Sequence, residues 1–272
     1  MTKSFMRLLT ELSSRKWISQ ITGAFAKSKL SKAMIPTFAR MYGINVAEAE
    51  KALHEYSTLN EFFTRRLKTG SRMVDNTEHA LVSSVDAVIT GIGSISEGTV
   101  FNVKGQDYTV EELLNRSPRE VNYKNGFCFV LYLSPTDYHR IHSPVSGKVL
   151  ETEHVPGKVY PVNEFGLRHM TRVLSRNERL ITFIRHEHGE VAVVKVGALN
   201  VSSIKYAAEK LPDRLTRGDE LAYFEFGSTV VLLTESGTFT PDPSLTLGSK
   251  VRMGQRLGTF SPASEESEEK DV

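Results

Sequence analysis

The chain is 272 residues long, 40% hydrophobic and 24% charged, with a formal net charge of +2. That is the composition of an ordinary globular protein of one large domain or two small ones, and no stretch approaches the roughly 18 apolar residues of a membrane-spanning helix. The single cysteine, Cys128 in the apolar run "FCFVLYL", excludes an internal disulfide and reads as a small buried hydrophobe suited to a reducing compartment.

Residues 1–56 predict helices. Phe5, Leu8, Leu9 and Leu12, then Ile18, Ile21 and Phe25, recur at spacings of three and four. Residues 1–40 carry eight Lys or Arg against Glu11 alone, an excess of +7. Basic amphipathic helices with Trp17 and leucine anchors suit a membrane interface, and they suit equally a helix packed on protein. Charges at Arg7, Glu11, Arg15 and Lys16 break any continuous apolar core, so no signal peptide is expected. "NVAEAEKALHEY" predicts a further helix with Asn45 as N-cap, and "TLNEFFTRRL" a short one.

From about residue 80 the texture changes to short β-rich runs separated by Gly, Pro and Asn, such as "DAVITGIGSI", "GFCFVLYLSP" and "RLITFIRHEHGEVAVVKVG". One helix interrupts them, "TVEELLN", with Thr109 and Glu112 spaced as a capping box. Frequent turns between short strands predict a mainly antiparallel sandwich or barrel-like domain. The expected class is α+β: a helical region over 1–58, a β-rich domain over 59–260, and an acidic, disordered tail over 261–272 that ends "EESEEKDV". A weak internal repeat, G-[DQ]-x-L-[AG]-x-F, links "GDELAYF" (218–224) to "GQRLGTF" (254–260) and supports a barrel-like architecture.

Three stretches carry candidate chemistry. "YFEFGSTVVLLTE" (223–235) reads as a strand interrupted at Gly227-Ser228, the mark of a bulge or of close backbone approach. "SPTDYHRIHSPVSG" (134–147) holds His139 and His142, which read as a polar turn capping a strand, or as a metal pair if Asp137 or Asp86 completes it. Asp86 in "SSVDAVITG" is one acid at an apolar strand start, by itself a solvated or capping residue. The residues alone leave several readings open. They are a serine hydrolase using Asp86, His142 and Ser228, a metalloenzyme using His139, His142 and Asp86, and a non-enzymatic membrane-binding β-barrel module.

The constellation is more specific than its parts. "LNEFFTRRL", "VDAVI", "VKGQDYTVEELL", "DYHRIHSP", "VPGKVYPVN", "RNERLI", "VGALNVSSI" and "GDELAYFEFGST" follow one another along the chain. Together they closely resemble the phosphatidylserine decarboxylase family over nearly the whole length. Phe226 stands where the family usually has Leu, and Ala87 where a Gly usually follows the aspartate. The resemblance implies a proenzyme that cuts its own Gly227–Ser228 bond into chains 1–227 and 228–272. Ser228 is the expected nucleophile and becomes a covalent pyruvoyl group. His142 is the expected base, Asp86 its orienting acid, and His139 the candidate for proton delivery during decarboxylation. The substrate condenses with the pyruvoyl group as a Schiff base, and no metal is expected. Implied partners are phosphatidylserine in an anionic membrane, the two cleaved chains as a heterodimer and a possible higher homo-oligomer, with no nucleic acid. The implied location is peripheral, on the cytoplasmic face of the cell membrane.

Overall fold

The computed structural model describes residues 23–96, 99–103, 106–162, 170–198, 203–225 and 228–261. Most of the predicted N-terminal amphipathic segment, Gly227 and the acidic tail from residue 262 lie outside the described residues. In chain order the strands are β1 (Ala80–Val82), β2 (Ala87–Ser94), β3 (Thr99–Val103), β4 (Gln106–Thr109), β5 (Phe127–Leu133), β6 (Arg140–His142), β7 (Gly147–Val155) and β8 (Arg179–His186). They continue with β9 (Gly189–Gly197), β10 (Ser203–Tyr206), β11 (Arg214–Leu215), β12 (Glu220–Glu225), β13 (Ser228–Thr234), β14 (Phe239–Pro241), β15 (Lys250–Val251) and β16 (Arg256–Phe260).

An eight-stranded antiparallel sheet, ordered β11-β7-β8-β9-β13-β5-β2-β15, forms the centre. Both of its faces are covered, which is why β5 and β13 read as unbroken apolar runs and not as alternating ones. Cys128, Val130, Val194, Val231 and Leu233 point to one face and pack on Tyr108, Leu113, Tyr123 and Leu174. Phe129, Leu131, Val193, Val230 and Leu232 point to the other. There they meet Ile141, Leu221 and Phe224 of the three-stranded sheet β10-β12-β6, and Leu257 and Phe260 of the three-stranded sheet β1-β16-β14. Each such side chain contributes about 1.5–3 kcal/mol by leaving water. The expected α+β class with a mainly antiparallel sandwich is thus the observed one. Cys128 is buried and free, and burial pushes its thiol well up.

The helical region is small. Residues 23–27 are helical, Lys29–Met34 form a 3-10 helix and Ile35–Met41 an α-helix. Ile35, Ala39, Ile44, Tyr56, Leu59 and Phe62 form its own buried cluster. Both expected caps are present, Asn45 accepting from the Ala47 N–H and Thr109 from Glu112, and the structure adds a third, Thr58 accepting from Glu61. The single helix expected over "NVAEAEKALHEY" is not. It breaks into 3-10 turns at Val46–Glu48 and Leu53–Glu55. The reason is tertiary: Ala49 bridges Leu67, with Glu50 N–H on Arg66 O and Lys68 N–H on Glu48 O, both at 2.9 Å. None of the described helices is long and apolar enough to cross a membrane.

The repeat has a clear structural meaning. Gly218 and Gly254 both take left-handed backbone, φ +92° and +85°, in the turns before β12 and β16. Both press on the same stretch, Met73-Val74, where an added Cβ would come within 2.7 Å of the Val74 side chain at Gly218 and 2.4 Å of the Met73 carbonyl at Gly254. Gly218 N–H donates to Ser143 O and Gly254 N–H to Ser83 O, each at 2.9 Å. Ala87, by contrast, has no positive φ and simply opens β2, so replacing the family's usual glycine there strains nothing.

Candidate active site

Two chain segments cross between sheets at the same place. β12 ends at Glu225 in the three-stranded sheet, and the chain re-enters the central sheet at Ser228, the first residue of β13. Ser228 stands opposite Leu133 on β5 and Gly197 on β9. β5 ends at Leu133 and makes the reverse crossing, through the turn 134–139, into β6. Antiparallel pairing continues backwards from Tyr223↔Arg140, with Phe224 N–H on His139 O at 3.1 Å. His139 therefore lies against the chain just ahead of the crossing, while His142, opposite Glu220, lies further back.

The two histidines do different things. A spacing of three in extended chain turns side chains to opposite faces, and these rings do not meet. His139 is fully buried, its ring against Phe63 with 4.0 Å between centroids. Its Nδ1–H donates to Asp137 O at 2.9 Å, since a carbonyl only accepts, and its Nε2 lone pair has no partner. Burial, then the nearby Arg65 charge, pushes its pKa down to about 3, so the ring is neutral at neutral pH. His142 donates Nδ1–H to Gly218 O at 2.7 Å, and its Nε2 accepts from the Tyr138 hydroxyl at 3.0 Å. Burial lowers its pKa as well.

Asp86, the orienting acid that the resemblance implies, makes no hydrogen bond to His142 here. Its carboxylate grips Arg72 through two oxygens, with Nε–Oδ1 at 2.8 Å and a second contact from Nη2, and accepts from Met253 N–H at 2.9 Å. Arg72 also pairs with Glu48 at 2.9 Å. Burial alone would lower the guanidinium's pKa, but these carboxylates outweigh it and raise it. The Gly218 carbonyl takes the orienting place. Neither of the two residue sets weighed from the sequence is therefore assembled by direct contact: Asp86, His142 and His139 each have separate partners. Gly227 and the side chain of Ser228 lie outside what the structure describes.

Beside the crossing lies a cleft of about 320 Å³. Asp86, Arg72, Tyr138 and Arg65 line it, with Lys250 and Arg252 at its edge. Arg65 is 4% exposed. Its Nη2 reaches Thr136 O and Asp137 O at 3.3 and 3.4 Å, while Nε and Nη1 have no partner. Buried donors are nearly always satisfied, so these two nitrogens are exceptions in a cationic side chain that lines the cleft. Just upstream of the crossing Glu225, 3% exposed, is held by Lys27 at 2.7 Å, Asn60 at 3.3 Å and Lys205 at 3.6 Å. Sequence reasoning gave no role to Arg65, Arg72, Tyr138 or Glu225. The signal available was "FTRRLKTGSR", whose arginines lie close to an otherwise apolar helix.

A buried strand that opens on a serine, with neutral imidazoles and an unpaired guanidinium around the crossing, belongs to an enzyme built on a β sandwich. Its kind follows from the comparisons. The profile of the phosphatidylserine decarboxylase family matches residues 59–259. A phosphatidylserine decarboxylase proenzyme of Geobacillus kaustophilus is 45% identical over 265 residues, 97% of this chain and 100% of the relative. One of Halalkalibacterium halodurans is 43% identical over 260 residues, 96% and 99% of the two chains. One of Geobacillus sp. WCH70 is 42% identical over 258 residues, 95% and 99%. The chain belongs to the phosphatidylserine decarboxylase family.

Proposed function

We propose that this chain is a proenzyme that cuts its own Gly227–Ser228 bond and then, as a two-chain enzyme, decarboxylates phosphatidylserine to phosphatidylethanolamine at an anionic membrane surface. The decarboxylase activity rests on the relatives, which carry that name along their full length. The observation that carries self-cleavage is the position of Ser228, first residue of the central strand β13 at a crossing between sheets. Two buried polar atoms near the crossing have no partner, His139 Nε2 and Thr229 Oγ1, and could serve a polar group formed at position 228.

In maturation the Ser228 hydroxyl adds to the Gly227 carbonyl and the peptide becomes an ester. β-Elimination releases the new carboxyl end of chain 1–227 and leaves a dehydroalanine, which hydrolyses to pyruvoyl with loss of ammonia. His142 removes the serine proton. The Gly218 carbonyl fixes its Nδ1–H and leaves Nε2 as the acceptor, and Tyr138, bonded to that nitrogen, links it to the cleft. Cleavage leaves β13 between β9 and β5, so the two products remain one folded body.

The pyruvoyl group supplies an electron sink that ordinary side chains lack, taking up the pair released as CO₂ departs. Arg65, in the cleft lining, supplies a positive charge for the anionic part of the headgroup. His139, whose Nδ1–H is held by Asp137 O and whose Nε2 has no partner, is the residue we assign to proton delivery at the α-carbon. Asp86 holds Arg72 in the cleft wall.

The membrane reading is supported by exposed apolar side chains among basic ones. Phe25, Leu30, Met34 and Met41 are 46%, 79%, 47% and 71% exposed, alternating with Lys27, Lys29, Lys32 and Arg40. Each basic residue near an anionic leaflet contributes about 1 kcal/mol, and the apolar side chains can insert. CO₂ release from phosphatidylserine vesicles tests the whole reading. The wild-type chain releases it and Ser228→Ala does not; an active Ser228→Ala protein would overturn the proposal.

A further inference from the structure

Away from the crossing, a second group of chemistry-bearing side chains converges at the far end of the β8–β9 hairpin. The hairpin turn is His186-Glu187-His188-Gly189, with His186 paired to Gly189. Facing it is His79, the residue before β1, in left-handed backbone at φ 53°. One donor atom each from His79, Glu187 and His188 lie within 4.8 Å of one another. His79 is 108 residues or more from the other two in sequence, so folding brings it to them.

We infer that His79, Glu187 and His188 form a binding site for a divalent transition-metal ion of the zinc type, distinct from the cleft at the crossing. Four observations carry this. The donor set is two imidazoles and one carboxylate, the mixture zinc takes in three-ligand sites that keep a fourth position for water. Donors about 2.0–2.2 Å from one tetrahedral ion stand roughly 3.3–3.6 Å apart, and His79 Nδ1 already lies 3.5 Å from Glu187 Oε2. The ring of His188 stands edge-on to His79, centroids 4.3 Å apart, and its buried Nε2 has no partner. Finally, the other nitrogen of His79, Nε2, faces Glu78 Oε1 at 3.7 Å. A carboxylate behind a ligating imidazole fixes its tautomer and raises its basicity.

The surroundings hold this arrangement in place. Arg217 donates from Nη1 to Thr77 O at 2.9 Å and Ala80 O at 3.0 Å, pinning the loop that carries His79. A cleft of about 510 Å³, lined in part by His79, His186, Glu187 and Arg217, gives an ion a path in. His186 is a wall and not a ligand. Its Nδ1 accepts from His188 N–H at 3.3 Å, which leaves the proton on Nε2, and its ring lies against Phe260, 4.1 Å between centroids. A bound ion would tie the residues entering β1 to the tip of the central sheet. β1 pairs with β16 of the downstream segment, so the ion would also brace the body that holds segments 1–227 and 228–272 together.

The test uses the full, untagged chain, freed of metal with a chelator and titrated with zinc chloride by calorimetry. One zinc per chain is expected, with a rise in Tm on binding. Glu187 is largely exposed, so Glu187→Gln should fold normally. It and His188→Ala should each weaken zinc binding by more than the roughly 10–100-fold that loss of an outer-shell partner costs, and should abolish the zinc-dependent rise in Tm. Cobalt chloride should give the visible absorption of a tetrahedral ion in the wild type and not in His188→Ala. CO₂ release by the metal-free variants should match that of metal-free wild type, which separates this site from the decarboxylation reading. No stoichiometric zinc in the wild type, or equal zinc affinity in wild type, Glu187→Gln and His188→Ala, would overturn the inference.

Discussion

The turns at Gly218 and Gly254 are built alike and used differently. In each, a left-handed glycine packs on Met73-Val74, and its N–H donates to a serine carbonyl, Ser143 or Ser83. Each of those serines bonds back to a valine carbonyl two residues on, Val145 or Val85, at 2.7 Å. The two serine segments also pair with one another, Val82 N–H on Pro144 O and His142 N–H on Ser84 O. The difference lies in the glycine carbonyl. That of Gly254 accepts a backbone N–H, from Asp75 at 2.9 Å. That of Gly218 accepts the ring N–H of His142. One copy of the turn closes a loop, and the other sets the tautomer of an imidazole. A repeated scaffold can thus acquire a chemical role by changing what one backbone acceptor binds.

The largest effect should come from removing the group that only one copy holds. His142→Ala should leave the precursor uncut, since a positioned general base contributes typically 10²–10⁴-fold. Intact mass after expression reads it directly, and a fully cut His142→Ala protein would show that the Gly218–His142 bond has no part in maturation. Next is the other copy's neighbour, Asp86, which Met253 and Arg72 hold beside the Gly254 turn. Asp86→Ala strips Arg72 of its bidentate partner but leaves Glu48. The cost should be a substantial part of the about 3–5 kcal/mol that breaking a buried pair outright carries. Urea unfolding should show that loss, and Arg72→Leu in the same background should restore part of it. A cost below about 1 kcal/mol would mean the pair is not a structural brace.

Alanine at the two glycines sharpens the comparison at a smaller scale. Either substitution forces a side chain into left-handed backbone, at about 1–3 kcal/mol. At Gly254 the added Cβ would sit 2.4 Å from Met73 O, a backbone atom; at Gly218 it would meet the Val74 methyl Cγ2 at 2.7 Å, which can turn aside. Gly254→Ala should therefore lose more stability in urea, while Gly218→Ala loses less stability but more self-cleavage. The reverse order would break the assignment of roles.

The smallest effect is a slope. His139 titrates at about 3 in the folded chain against an ordinary 6.5. Between those values the unfolded chain binds a proton that the folded one refuses. The stability this represents is complete above pH 6.5 and is lost as pH falls towards 3, at about 1.4 kcal/mol per pH unit. Urea midpoints across that window should fall less steeply in His139→Asn than in wild type. Parallel curves would place His139 in contact with water.

Sequence pattern made much of the fold legible because it depends on local chemistry. Asn45 and Thr109 cap helical turns as the sequence predicts, and "FCFVLYL" and "TVVLL" are the central strands. "NVAEAEKALHEY" misled because its helical content is outweighed by a bridge to Leu67, a contact that local pattern does not carry. At the site, His139 and His142 could be named from spacing and family resemblance. Their partners could not. Gly218 O and Asp137 O are backbone atoms, which leave no trace in residue type, and the Arg72–Asp86 pair depends on where a loop returns. The family resemblance alone places Asp86 behind the histidine; its direct partners in the structure are Arg72 and the Met253 N–H.

The central claim, that the crossing at residues 225–228 is where the chain cuts itself, is tested most directly by intact mass of the purified wild-type protein under denaturing conditions. The account predicts two species: residues 1–227 with a free carboxyl end, and residues 228–272 with a pyruvoyl group in place of the Ser228 amino terminus. A single uncleaved chain that releases CO₂ from phosphatidylserine, or a cut at any other bond, would contradict it.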